Sequence, residues 1–240
     1  GQWSQISLEG DLQTVREKGH EDMRLDALVG LVKDGSHGQV AFEFLECLLD
    51  LGELAATFAL GRAAVRNQLS MLEQVFLVDL LPPWHSMKHQ RLVKTPKLHL
   101  GDTGLAAALL RLDAPTLHAN RARLGQLLET FVLQALRRQA TACPQGITFS
   151  HLRHRDGQEV DIVLEQGDRL AGVDVTGAAS VGDEDFRGLR KLADLAGERF
   201  ACGIVLHDGE AIVQHAPRLF ALPVRALWTD QPETAFPWAF

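Results

Sequence analysis

The stretch Glu159-Val160-Asp161-Ile162-Val163-Leu164-Glu165, followed after Gly167-Asp168 by Leu170-Ala171-Gly172-Val173-Asp174-Val175-Thr176, decides the fold of the second half. Both runs are short, rich in β-branched residues and bounded by turn residues, so they read as adjacent strands. Strict alternation puts Val160, Ile162 and Leu164 on one face, and Glu159, Asp161 and Val163 on the other. In the next strand Val173 and Val175 are core-like, so Asp174 and Thr176 share the opposite face. Pairing the two strands as a meander brings Asp161 and Asp174 together.

Working outward, residues 147–155 form a third strand, joined to the first by the hairpin signal Asp156-Gly157. Upstream, residues 124–138 have an amphipathic period, with Leu128, Phe131, Val132, Ala135 and Leu136 as the buried stripe. Glu129 lies beside that stripe and can join the two aspartates. Downstream come a helix over 183–196, a buried strand over 200–207 and a strand over 211–215. The order is helix, three-strand meander, helix, strand, which is an α/β layer; the tail 229–240 has no clear element.

The first half reads differently. Residues 8–51 read as helical, with helices at 23–32 and 42–51, and a short helix follows at 53–56. After the break at Leu60-Gly61, a helix over 62–75 completes a helix-turn-helix. Strands over 76–81 and 92–100 flank Pro82-Pro83 in the manner of a wing, and a helix runs from Asp102 to about Leu112. Residues 114–120 read as a linker. The expected organisation is therefore an N-terminal helical segment (1–41), a winged helix-turn-helix domain (42–113), an α/β domain (120–228) and a tail (229–240).

Composition narrows the function. Hydrophobic residues make up 46% and charged residues 23%, as in a globular protein with a real core. No apolar run is long enough for a membrane span, and the N-terminus lacks signal-peptide character. Three widely spaced cysteines without a Cys-x-x-Cys pair point to a reducing cytoplasm and away from a thiolate zinc site. Net charge is −7, so nucleic acid would need a local basic patch. Two are available. Arg62, Arg66, Asn67 and Gln68 start the second helix of the helix-turn-helix, the end that reaches base edges. Lys88, Arg91, Lys94 and Lys97 lie in a stretch without acids, suited to a phosphate backbone. Over 156–198 acids outnumber bases, and that surface would repel DNA. Glu129, Asp161 and Asp174 converging on one spot would take Mg²⁺ or Mn²⁺ and orient water against a phosphodiester. His151 and His154 fall on opposite faces of a strand, so a shared metal is not expected there.

Residues 42–228 resemble the domain of unknown function 4143 family, the C-terminal region of many AAA-type ATPases. The resemblance rests on Glu53-Leu54-Ala55, Leu72-Glu73, Phe76-Leu77-Val78, Leu81-Pro82-Pro83-Trp84, Lys94-Thr95-Pro96-Lys97 and Asp102-Thr103-Gly104-Leu105. Gly125 with Glu129, and Asp156-Gly157-Gln158-Glu159-Val160-Asp161, complete it. The resemblance implies a winged helix followed by a restriction-endonuclease-like, PD-(D/E)XK fold. It further implies a site made of Glu129, Asp161, Asp174 and a lysine, whose position is held here by Thr176. The lysine's positive charge near the attacking water is thus missing. No Gly-x-x-x-x-Gly-Lys-Ser/Thr segment occurs, so ATP hydrolysis is not expected of these residues and an ATPase would be a separate partner. The expectation is a non-catalytic module that binds nucleic acid or a partner protein and requires no cofactor. The alternatives are a weak Mg²⁺-dependent nuclease using Glu129, Asp161 and Asp174, and an assembly domain for a separately encoded ATPase.

Overall fold

The structure, a computed structural model, describes residues 46–48, 55–56, 60–84 and 92–228. The expected helix at 23–32, the side chains of Lys88 and Arg91, and the tail 229–240 lie outside the described residues. The architecture is a mixture of helix and sheet.

The first segment contributes strand β1 (Glu46–Leu48), helix α1 (Arg62–Gln74) and strands β2 (Val78–Leu81) and β3 (Lys97–Leu100). The three strands form one antiparallel sheet in the order β1-β3-β2. The helix expected over 42–51 is therefore corrected, because residues 46–48 pair with β3 through Glu46↔His99, Cys47↔Leu98 and Leu48↔Lys97. A short apolar run fits either period, and here sheet pairing decides. One face of this sheet packs on α1, where Leu72, Val78 and Leu98 make a small core. Helix α1 ends in an unusual way. Phe76 adopts a positive φ of 61°, Leu77 N–H donates to Leu72 C=O at 2.9 Å, and Phe76 is 85% exposed. That left-handed position normally takes glycine. Gly101 is required opposite it, since a Cβ there would meet the Phe76 carbonyl oxygen at 2.0 Å.

Helices α2 (Thr103–Leu109) and α3 (Ala114–Ala119) follow, each capped at its N-terminus by an aspartate, Asp102 and Asp113. The segment read as a linker is thus a helix: Asp113 with Pro115 in the first turn is a start signal that the composition concealed. Asn120 then caps the long helix α4 (Arg121–Ala140).

The second sheet has six strands in the order β4-β5-β6-β7-β9-β8. They are β4 (Thr148–Arg153), β5 (Glu159–Gln166), β6 (Arg169–Thr176), β7 (Phe200–His207), β8 (Val213–Ala216) and β9 (Leu219–Pro223). Strands β4 to β6 form the expected antiparallel meander, and β6, β7 and β9 run parallel. Helix α4 covers one face, with Val132, Leu133 and Leu136 against Ile162, Val173, Ile204 and Leu206. Helix α5 (Arg187–Ala196) covers the other, with Leu189 and Leu192 against Val160, Val163 and Val205.

The two segments share these cores. Leu81 of β2 is fully buried among the α4 residues, and Trp84 and Leu92 enter the α5 side. The stretch between β2 and β3 lies along β4: His151 N–H donates to Pro82 C=O at 2.9 Å, Trp84 N–H to His151 C=O at 2.6 Å, and Val93 N–H to Arg153 C=O at 2.8 Å. What reads as a solvated wing is, where described, a strap along the edge of the large sheet.

Candidate functional site

The strand meander brings the expected carboxylates together, but by a different geometry from simple alternation. Between β4 and β5 the register passes from Ser150↔Val163 to Leu152↔Val160. Asp161 and Ile162 therefore oppose the single residue His151, a β-bulge that breaks the parity of β5. Val160 and Val163 face α5, whereas Ile162 and Leu164 face α4. The expected common face of Val160, Ile162 and Leu164 is corrected accordingly.

The bulge lies where β5 and β6 part. Their backbone pairing ends at Ile162↔Val173, and the aspartates take over the missing ladder bonds. Asp161 N–H donates to Asp174 Oδ1 at 3.0 Å, and Val175 N–H donates to Asp161 Oδ2 at 2.9 Å. Each carboxylate thus satisfies a backbone donor at the fork. Burial, then the neighbouring Asp161 charge, push the Asp174 carboxyl well above the usual carboxylate range.

Glu129 reaches the same place from α4 and is buried. Between it and Asp161 lies the ammonium of Lys97, 2.8 Å from Glu129 Oε1 and 3.1 Å from Asp161 Oδ1. Lys97 is only 4% exposed. Its assignment to a nucleic-acid surface is therefore corrected: Lys97 is one of the centre's own residues. The sequence hid this because Lys97 follows a basic run, yet strand parity puts it with His99 on the β3 face turned to α4. His99 is fully buried, with Nδ1 3.1 Å from Thr130 Oγ1 and Nε2 3.8 Å from Glu129 Oε1. Burial, and then the Lys97 charge, lower its pKa to about 3, so the ring is neutral and the 3.8 Å contact is no ion pair. Among the described residues, His99 Nε2 has no hydrogen-bond partner. His151, also buried, donates Nε2–H to Thr95 C=O at 2.9 Å, and burial lowers its pKa to about 4.

Thr176, at the end of β6, is half-buried; its Oγ1 accepts from Ala178 N–H at 3.2 Å. Gly177 follows because β6 ends against α4: a Cβ there would lie 2.6 Å from Arg121 C=O and 2.9 Å from Gly125 N. Asp161, Asp174 and Thr176 line a cleft of about 320 Å³ together with Glu159, Glu184 and Arg187. Lys97 and Glu129 are buried and are not part of this lining. Of the expected nucleic-acid residues, Arg62, Arg66 and Asn67 are exposed on α1, Gln68 is half-buried and Lys94 is exposed. Gly61 caps α1 without a side-chain hydrogen bond.

The fold and this centre define a two-segment helix-and-sheet protein in which a carboxylate pair from the second segment encloses a lysine from the first. Residues 124–227 match the model of the domain of unknown function 4143 family. Residues 37–116 match a different model, that of domain of unknown function 8612, so the resemblance drawn over 42–228 divides between two families. Two curated relatives are Uncharacterized protein Mb2031c of Mycobacterium bovis and Uncharacterized protein Rv2008c of Mycobacterium tuberculosis. Each is 27% identical to this chain over 180 residues, covering 74% of this chain. The chain spans 38% of the length of these relatives. Among the described residues, no helix is long and apolar enough to cross a membrane.

Proposed function

We propose that these residues form a non-catalytic nucleic-acid-binding module built around a closed nuclease-like centre. The observation that carries the binding is the exposed start of α1, where Arg62, Arg66 and Asn67 project from a helix leading into an antiparallel sheet of order β1-β3-β2. We read that arrangement as a winged helix, whose recognition helix offers arginine and asparagine to base edges. The acidic surface around the cleft, with Glu159, Glu184 and Asp185, turns nucleic acid away from the second sheet.

The absence of catalysis follows from charge. Thr176 brings no positive group to the cleft, and the Lys97 ammonium is buried against Asp161 at 3.1 Å and is not part of the cleft lining. A phosphorane developing in the cleft would meet carboxylates beside Arg187, whose guanidinium is already paired with Glu184 at 2.8 Å. The weak-nuclease alternative has to overcome both obstacles.

The test is fluorescence anisotropy with labelled duplex, branched and single-stranded DNA at low and physiological salt. Saturable binding that weakens in Arg66→Ala supports the reading; no binding at low salt removes it. A second reading, docking of a protein such as a separately encoded ATPase, is favoured by one observation. Phe76 makes the left-handed turn that ends α1, where glycine would serve, and leaves a large apolar ring 85% exposed.

A further inference from the structure

Among the described residues no three His, Cys, Asp or Glu groups are placed to hold a metal, so a divalent cation does not fit the cleft. Helix α1 offers a different kind of surface. Its inner side carries Val65, Leu69 and Leu72, at i, i+4 and i+7. Val65 and Leu72 are buried, and Leu69 packs on the small core with Val78 and Leu98. The other side carries Ala63, Arg66, Asn67 and Ser70, at i, i+3, i+4 and i+7, and all four are exposed. That spacing makes them one continuous stripe. Gln68 falls outside it, because the helical turn carries it toward the core, where it is half-buried.

We infer that this stripe reads the major groove of duplex DNA sequence-specifically, with Arg66 on a guanine, Asn67 on an adenine, and Ala63 and Ser70 against neighbouring bases. The inference rests on reading the chain as a nucleic-acid-binding module and names what that module recognises.

Three observations carry it. The side chains have the chemistry of base edges: the Arg66 fork of donors matches guanine O6 and N7, and the Asn67 amide matches adenine N6 and N7. Ala63 is small enough to let the helix come close and to meet a thymine methyl, and the Ser70 hydroxyl both donates and accepts. The stripe also has the right length. From Ala63 to Ser70 the helix advances about 10 Å, which spans about three base pairs inside a groove about 12 Å wide. Finally, charge favours reading over simple attraction. Helix α1 has only two cations, Arg62 and Arg66, and one acid, Glu73 in its last turn, on a chain of net charge −7. With so few phosphates to neutralise, non-specific attraction is weak and base contacts have to carry the affinity.

The test is selection from a library of random duplexes by the native chain, then anisotropy with the selected duplex and a scrambled one. The selected sequences are expected to share a guanine and an adenine within about three base pairs. Asn67→Ala is expected to bind the selected duplex about five- to 150-fold more weakly, the range for one lost bidentate contact, and to bind the scrambled duplex as before. Asn67 is exposed, so the variant should keep the native Tm. Gln68→Ala should change neither affinity. Binding without any enriched sequence overturns the inference and leaves the functional reading standing. Equal weakening of both duplexes in Asn67→Ala overturns it too, because that marks a phosphate contact, as does a loss confined to Gln68→Ala. A native chain that binds no duplex removes the inference and the functional reading together.

Discussion

Lys97, from the three-stranded sheet, and Glu129, from the helix that covers the six-stranded sheet, form a 2.8 Å ion pair with side chains only 5% exposed. The contact joins the two segments at the point where Asp161 also meets the lysine. Such a pair gives little net stability, because desolvation offsets attraction, but breaking it leaves a buried charge.

Removing one partner should therefore be costly. Lys97→Met is expected to destabilise by about 3–5 kcal/mol, the usual range for an uncompensated buried charge. Glu129→Gln added to Lys97→Met should recover part of that loss. Denaturant unfolding of both single variants and the double variant checks the coupling; additive losses would mean that the pair does not interact.

Stability should also fall on acidification from about pH 6.5. His99 and His151 are neutral in the fold, with pKa values of about 3 and about 4 against 6.5. Their contribution is present above the unfolded pKa and is lost as pH falls toward the folded values, because the unfolded chain then binds more protons. Each contributes a slope of up to about 1.4 kcal/mol per pH unit. Asp174 acts with the opposite sign, since its raised folded pKa favours the fold at low pH and loses that effect as pH rises. Unfolding midpoints between pH 4 and 7 should fall with acid, and His99→Gln should flatten the curve.

Much of this was legible in sequence. Asp156-Gly157 and the β-branched runs gave the meander, and strand 200–207 agrees with β7 at both ends. Asp161 and Asp174 do meet. Face alternation failed at Asp161 and Ile162 because a bulge depends on the partner strand, which a single strand's pattern does not contain. Lys97 was misplaced for a similar reason: a lysine in a basic stretch reads as solvated until the helix that buries it is in position. His99 was missed altogether, although its i, i+2 spacing from Lys97 on a strand was the available signal.

Nucleic-acid binding should separate the two kinds of basic residue. Arg66→Ala is expected to weaken duplex binding by about 1–3 kcal/mol if it reads a base edge, and Lys94→Ala to lower the salt slope by about one. Anisotropy titrations at several salt concentrations distinguish these effects. An unchanged affinity in Arg66→Ala would move the interface away from α1.

Restoring the lysine position should not restore cleavage. Thr176→Lys places an ammonium in the cleft, but Lys97 still occupies the point between Glu129 and Asp161. A supercoiled plasmid incubated with Thr176→Lys and Mg²⁺ is expected to remain intact. Nicking that disappears in Asp161→Ala would show that the centre still accepts metal.

The most direct measurement is duplex DNA binding by the native chain in EDTA and again in Mg²⁺, with the DNA examined afterwards for cuts. A closed centre requires uncut DNA and no gain of affinity in Mg²⁺, which acts only as a competing counterion. Affinity that rises with Mg²⁺, or cleavage lost in Asp161→Ala, would contradict the account.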